Sequence, residues 1–257
     1  MSESIVRAKN ISRFFQDKKR GIVKAVDSLS FEVKPGEIFA ILGPNGAGKT
    51  TTLRVLSTVL SPTYGVAYVN GYNILEKPDK VRQSIGYLPS ESGLYHRLTP
   101  HEVISLFGRL SGLKGNTLKR RVDELIESFE MQEFAHTRIE KLSTGIKQKV
   151  KVARTIVHDP PILILDEPTQ GLDVPSSLIV EKFIKEESDK GKAIILSTHI
   201  MEEAEYLADR ILVIHKGRKR AEGTMEELRK MTGRTRLKEV FLQLIKGDGH
   251  EDRYTDL

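Results

Sequence analysis

The 257-residue sequence predicts an α/β fold: a parallel sheet flanked by helices, preceded by further strands and interrupted by a helical insert. Three observations carry this reading. Four short runs, IFAIL (38–42), ILIL (162–165), AIILS (193–197) and ILVI (211–214), are apolar on both faces, as buried parallel strands are. Helical patterns lie between most of them, as parallel crossovers require. Residues 99–135 contain no strand pattern and carry two amphipathic stripes instead.

The elements follow in chain order. In LSFEV, Leu29, Phe31 and Val33 alternate with polar residues, the period of a half-buried strand. The stretch GPNGAGKTT (43–51) matches G-x-x-x-x-G-K-[ST], follows the strand 38–42 and precedes the apolar segment LRVLSTVL (53–60). Its glycines let backbone N–H groups curl around a phosphate. Lys49 supplies a point charge to the terminal phosphates, and the Thr50 hydroxyl suits Mg²⁺. GVAYVNGYN (65–73) reads as a further strand.

Thr99-Pro100-His101-Glu102 is a capping box with proline at the first helical position. Val103, Ile104, Phe107 and Leu110 form the first stripe, and Val122, Leu125, Ile126 and Phe129 the second. LSTGIKQ (142–148) places a serine and a glycine at a helix start, with apolar residues then recurring at Ile146, Val150, Ala153 and Val157. A helix N-terminus of this kind attracts an anion, so the chain has a second phosphate grip.

ILILDEP (162–168) ends a buried strand on Asp166 and Glu167. Neighbours on a strand point to opposite faces, so Asp166 suits the metal while Glu167 suits a water that attacks the γ-phosphate. AIILSTH brings His199 to the C-terminal edge of the sheet, where ligand sites of α/β folds lie. Two more helices are expected at 224–231 and 235–246, the latter with Leu237, Val240, Phe241, Leu244 and Ile245 on one side, followed by a polar, fraying tail (247–257).

Composition narrows the classes. The absence of cysteine excludes disulfides, thiolate metal sites and a cysteine nucleophile. No run approaches the ~18 apolar residues of a membrane span, and MSESIVRAKN has no signal-type apolar stretch, so the expectation is a soluble, intracellular protein. The net charge of +6 fits nucleic acid, an anionic membrane surface or simply a solvated basic face, and no basic stretch is interleaved with aromatics.

GPNGAGKTT, LSTGIKQ, ILILDEPTQGLD and the histidine of STH together resemble the ATP-binding subunit of an ABC transporter, over residues 4–246. The resemblance implies a P-loop NTPase core with an N-terminal antiparallel β subdomain (1–89 and 156–222), a helical signature subdomain (90–155) and a C-terminal helical extension (223–257). It implies ATP and Mg²⁺ as cofactors, with Gly43, Pro44, Asn45, Gly46, Ala47, Gly48, Lys49, Thr50 and Thr51 around the phosphates. Catalysis would fall to Glu167, His199 and Lys49, with Asp166 on the metal. Two subunits would pack head to tail, so that Ser143, Thr144 and Gly145 grip the partner's ATP and Asp173 reports across the dimer. Phe15, or its neighbour Phe14, would stack on adenine.

The sequence departs from the family pattern at Thr144, where glycine is usual, at Ile146, where glutamine is usual, and at Ser90, where the Q-loop glutamine is expected. Threonine does not readily adopt φ > 0. Ser90 or the adjacent Glu91 would have to serve the metal and water. Residues 91–100 would contact a separate membrane permease, placing the protein on the inner face of the cell membrane. The style of SGLYHRLTP and GIKQK is similar to the sodium-extruding and multidrug exporter branch. No nucleic acid is expected: the coiled coil of repair ATPases and the doubled cassette of ribosomal ones are missing. Two alternatives stay open: a soluble ABC ATPase acting on nucleic acid or the ribosome, because of the basic charge, and a weakly hydrolysing dimerisation switch, because of Ser90. A P-loop kinase or GTPase lacks support, since no NKxD or TKxD occurs.

Overall fold

A computed structural model describes residues 3–19 and 21–245; the tail expected to fray lies outside them, as does residue 246 of the last expected helix. The strands in chain order are β1 (Val6–Asp17), β2 (Gly21–Val33), β3 (Ile38–Leu42), β4 (Tyr64–Val69), β5 (Tyr72–Asn73), β6 (Ile85–Leu88), β7 (Ile162–Asp166), β8 (Ala193–Thr198), β9 (Arg210–His215) and β10 (Arg218–Gly223). The helices are α1 (Lys49–Leu56), α2 (Pro78–Ser84), α3 (Pro100–Leu110), α4 (Gly115–Ser128), α5 (Thr144–Ile156), α6 (Val174–Asp189), α7 (Met201–Leu207), α8 (Met225–Thr232) and α9 (Leu237–Ile245).

The four apolar runs form the centre of a six-stranded sheet of order β10-β9-β3-β8-β7-β6, parallel except for β10. Alternation across it divides the core in two. Ala40, Leu42, Leu163, Leu165 and Leu196 face the helical side, with α3 to α7 and the C-terminal helices. Phe39, Ile41, Ile164 and Ile195 face α1 and the antiparallel sheet β2-β1-β4-β5. Burial on both faces is why these strands read as unbroken apolar runs. Phe129 is fully buried, and its ring centroid lies 4.7 Å from that of Phe183 on α6, which fastens the helical segment to the core.

Four local expectations need correction. The stretch 65–73 is a hairpin, not one strand: Asn70 and Gly71 both take positive φ, the two-residue turn that Asn-Gly favours. The helix after the phosphate loop begins earlier, at Lys49, and stops at Leu56, before the left-handed Thr58. Leu110, assigned to the first stripe, is 75% exposed because α3 ends there. Thr144 is an ordinary first helical residue and is not among the positive-φ residues, so it demands no adjustment. The expected caps are in place: Thr99 and Glu102 form a reciprocal box on α3, and Thr224 and Glu227 do the same on α8.

Candidate active site

The loop 43–48 turns between β3 and α1 at the C-terminal edge of the sheet. Its last turn depends on glycine: Gly48 has φ 107°, and a Cβ there would lie 2.3 Å from the Ala25 carbonyl oxygen. The loop borders a cleft of about 220 Å³ that Glu167 also lines. Lys49 is buried, and its Nζ donates to the carbonyls of Gly43 (2.7 Å) and Pro44 (3.3 Å). Burial pulls its pKa below the ordinary range, against the opposing pull of Glu167 and Asp166. The lysine is thus held beside the loop by weak acceptors that phosphate oxygens would replace.

Asp166 ends β7 and is fully buried. Its Oδ1 accepts from Ser197 and, at 3.2 Å, from Thr50, while Oδ2 has no partner among the described residues. A buried carboxylate oxygen without a donor, beside a threonine hydroxyl, suits a hard cation that keeps most of its ligands as water and phosphate. No group of three or more metal-ligating side chains exists among the described residues.

Glu167 departs from its expected geometry. It does not continue the strand and face the other side; its φ of 52° puts it in the left-handed region, a strained conformation typical of functional positions. Its N–H donates to the Ser197 carbonyl at 3.1 Å, which anchors the turn to β8. Its Oε1 lies 3.1 Å from His199 Nδ1 and 3.7 Å from Lys49 Nζ. The other two expected catalytic groups, His199 and Lys49, therefore converge on the Glu167 carboxylate.

A second cleft, about 300 Å³, separates the core from the helical segment; Ser90, Glu167, Thr144 and Gln148 line it. Glu91 is exposed and does not line it. Ser143 caps α5 by accepting the Ile146 N–H at 3.3 Å. Gly145 packs against the start of α6, where a Cβ would stand 3.0 Å from Ser176 Oγ. Asp173 caps that helix, accepting the Ser176 N–H at 3.1 Å. None of residues 142–148 lines the phosphate loop's own cleft. Phe15 is 37% exposed with the Arg13 guanidinium 4.7 Å over its ring. Phe14 meets Tyr64 edge-on at 5.8 Å and Lys24 at 5.2 Å. Neither phenylalanine lines the cleft at the loop. In 91–100, Leu98 and His96 carbonyls accept from Ile139 and Glu140, and Arg154 donates to the Gly93 carbonyl at 2.7 Å, while Tyr95 stays exposed.

Sequence reasoning missed Gln148, whose buried Nε2 donates to the Pro168 carbonyl at 2.9 Å and so joins the LSTGIKQ helix to the Asp166–Glu167 turn. It also missed Ser197, Thr169 and Glu203, discussed below. Gln148, Ser197 and Thr169 stood within the quoted motifs without being singled out; Glu203 carries no local signal.

Comparison with known proteins agrees with this geometry. The family model described as ABC transporter matches residues 26–170. The chain is 42% identical over 238 residues to the ABC transporter ATP-binding protein NatA of Bacillus subtilis, covering 92% of this chain and 96% of that protein. It is 35% identical to the linearmycin resistance ATP-binding protein LnrL of the same organism, over 98% of this chain and 82% of that one. A solved ATP-binding subunit of an ABC transporter superposes with a TM-score of 0.84 at 31% identity, covering 95% of this chain and all of that one. An ATP-binding cassette solved as a dimer in a post-hydrolysis state with ADP and Pi superposes with a TM-score of 0.78 at 26% identity, over 85% and 98% of the two chains.

Proposed function

Because the chain belongs to the ABC transporter family as an ATP-binding subunit that hydrolyses ATP to drive transport, we propose that its two phosphate grips serve two different nucleotides in a head-to-tail dimer. Each ATP would lie between the loop 43–51 of one subunit and Ser143, Thr144 and Gly145 of the other. The observation that carries this is the separation within one chain: the LSTGIKQ helix start lies outside the cleft of the loop, though Gln148 ties the two regions through Pro168.

Within one site, Lys49 and the first-turn N–H groups of α1 bind and orient the phosphates. Glu167 holds the attacking water and takes its proton, and His199, hydrogen-bonded to Glu167, steadies that carboxylate and faces the γ-phosphate. Thr50 and the unpartnered Oδ2 of Asp166 would hold Mg²⁺, which when bound neutralises charge on the phosphates. Ser90, in the second cleft with Glu167, would reach the water or metal only through a further water; Glu91 is exposed and would have to turn inward to serve either. Phe15 would stack on adenine, and Asp173 would carry contacts across the dimer. The segment 91–100 would dock a separate transmembrane permease, holding the protein on the inner face of the membrane, with no direct nucleic-acid partner. Among the described residues no helix is long and apolar enough to cross a membrane. Relatives named for linearmycin and daunorubicin resistance support an export direction.

Light scattering on Glu167→Gln tests the arrangement. Without the base, ATP should be trapped, giving a monomer without nucleotide and a dimer with it. Adding Ser143→Arg should abolish the dimer. A Glu167→Gln protein that stays monomeric at saturating ATP overturns the homodimer. The turnover rate of the unaltered protein decides the role of Ser90: a rate within the ordinary enzyme range, above about 1 s⁻¹, excludes a mere dimerisation switch.

A further inference from the structure

We propose that Glu203 is a positioning residue for hydrolysis: its buried carboxyl, through Thr169, ties the loop of Glu167 to the helix that follows His199. The inference rests on the reading of Glu167 and His199 as the pair that acts on the γ-phosphate.

Glu203 sits in the first turn of α7, directly after the β8 edge. It is 5% exposed, and its partner Thr169 is buried too. Thr169, two residues beyond Glu167, donates from Oγ1 to Glu203 Oε1 at 2.8 Å. Thr198, immediately before His199, holds the start of α7 by accepting the Ile200 N–H on Oγ1 at 2.9 Å. Glu203 lies on the helix that follows His199 and Thr169 on the loop that follows Glu167, so the one Thr169–Glu203 bond joins the two segments behind the Glu167–His199 contact.

That contact needs an anchor. His199 is 40% exposed at its side chain, and its Nδ1 meets Glu167 Oε1 at 3.1 Å without being enclosed. Glu167 is in a strained left-handed backbone and is held to β8 by its N–H bond to the Ser197 carbonyl. Two short loops leave neighbouring strands here, and the Glu203 link is a side-chain tie between them that does not touch the phosphates. A buried carboxyl with Oε2 unpartnered is a costly way to fill space. An apolar residue would pack the same site without that cost, so filling the site does not account for a glutamate.

The test is steady-state ATP hydrolysis by the purified full chain, with kcat and KM measured separately. Glu203→Ala should lower kcat by roughly ten- to a hundredfold, the cost of misplacing reacting groups from a distance. KM for ATP should stay within about twofold, because the phosphate loop is untouched. Glu203→Gln, which keeps an acceptor for Thr169, should hold kcat within about threefold of the parent. Thr169→Val should lower kcat in the parent and have little further effect in Glu203→Ala, since both remove one tie. An unchanged kcat in Glu203→Ala overturns the proposal. So does a parallel loss of kcat and ATP affinity that Gln fails to rescue, which is the mark of general damage. If Glu203→Ala does not fold, Glu203→Gln and Thr169→Val decide by the same split: a Thr169→Val protein with parental kcat overturns the tie. Glu167→Gln is the control. If it keeps parental turnover, the underlying reading fails and the inference with it; if it loses turnover while Glu203→Ala does not, the inference alone fails.

Discussion

Replacing Glu203 by glutamine should stabilise the protein increasingly as pH rises. Burial is the largest influence on this carboxyl and raises its pKa above the ordinary value of 4.5; the charges of Glu167 and of Glu181 on α6 push the same way, and the hydroxyls of Thr198 and Thr169 oppose them. In the window between the ordinary value and the raised one, the folded chain keeps a proton that the unfolded chain releases. The folded state then binds more protons, so unfolding free energy falls as pH rises through that window. The slope is at most about 1.4 kcal/mol per pH unit for one group. For a chain of this size 1 kcal/mol moves Tm by about 2–4 °C, so the parent loses up to about 3–5 °C per pH unit on this account. Glutamine does not titrate. The difference in Tm between Glu203→Gln and the parent should therefore grow with pH and level off once the parent's carboxyl is ionised. Differential scanning calorimetry from about pH 4 to about pH 9 spans the ordinary carboxylate range and well above it, and taking the difference removes the titration of other groups. A flat difference, or one that turns against glutamine at higher pH, refutes the argument, because it would mean that the carboxyl is charged and well paired.

Two further outcomes follow from the site. In the parent, ATP at a hundred times its Kd should stabilise by about 2.7 kcal/mol, about 5–10 °C in Tm, with part of that lost when EDTA removes Mg²⁺; Asp166→Asn should shift equally with and without EDTA, and a persisting Mg²⁺ increment would refute the role of Oδ2. Gly48→Ala forces a left-handed alanine whose Cβ meets the Ala25 carbonyl at 2.3 Å, so Tm should fall by about 4–16 °C for a cost of about 2–4 kcal/mol and ATP-induced stabilisation should vanish; a parental Tm would refute the geometry of the loop.

Much of this molecule was legible before its structure because the relevant information is local. Strands β3, β7, β8 and β9 are buried on both faces, and that condition writes itself as a contiguous apolar run. The phosphate loop is one continuous segment, and the boxes at Thr99 and Thr224 are closed within one helical turn. Three strands escaped, β1, β6 and β10, the last two because their contribution is carried by the backbone. β6 has four residues, and its Gly86 sits where a Cβ would approach the Thr155 carbonyl at 2.8 Å. β10 is RKRAEG: an edge strand whose charged side chains pair with Arg210, Glu222 and Asp27 while its peptide groups complete the ladder. The turn at Asn70-Gly71 did leave a dipeptide signal, hidden by reading 65–73 as one run.

The chemistry divides along the same line. Residue types and their order single out Lys49, Thr50, Asp166, Glu167 and His199 as candidates, because phosphate, metal and water each demand particular side chains. Their assembly belongs to the fold. Thr50 reaches Asp166 across 116 residues because β3 and β7 both flank β8, and that strand order is a property of packing which no short window records. The left-handed turn at Glu167, the amide of Gln148 under Pro168 and the tie from Glu203 to Thr169 likewise join segments brought together only by the buried sheet between them.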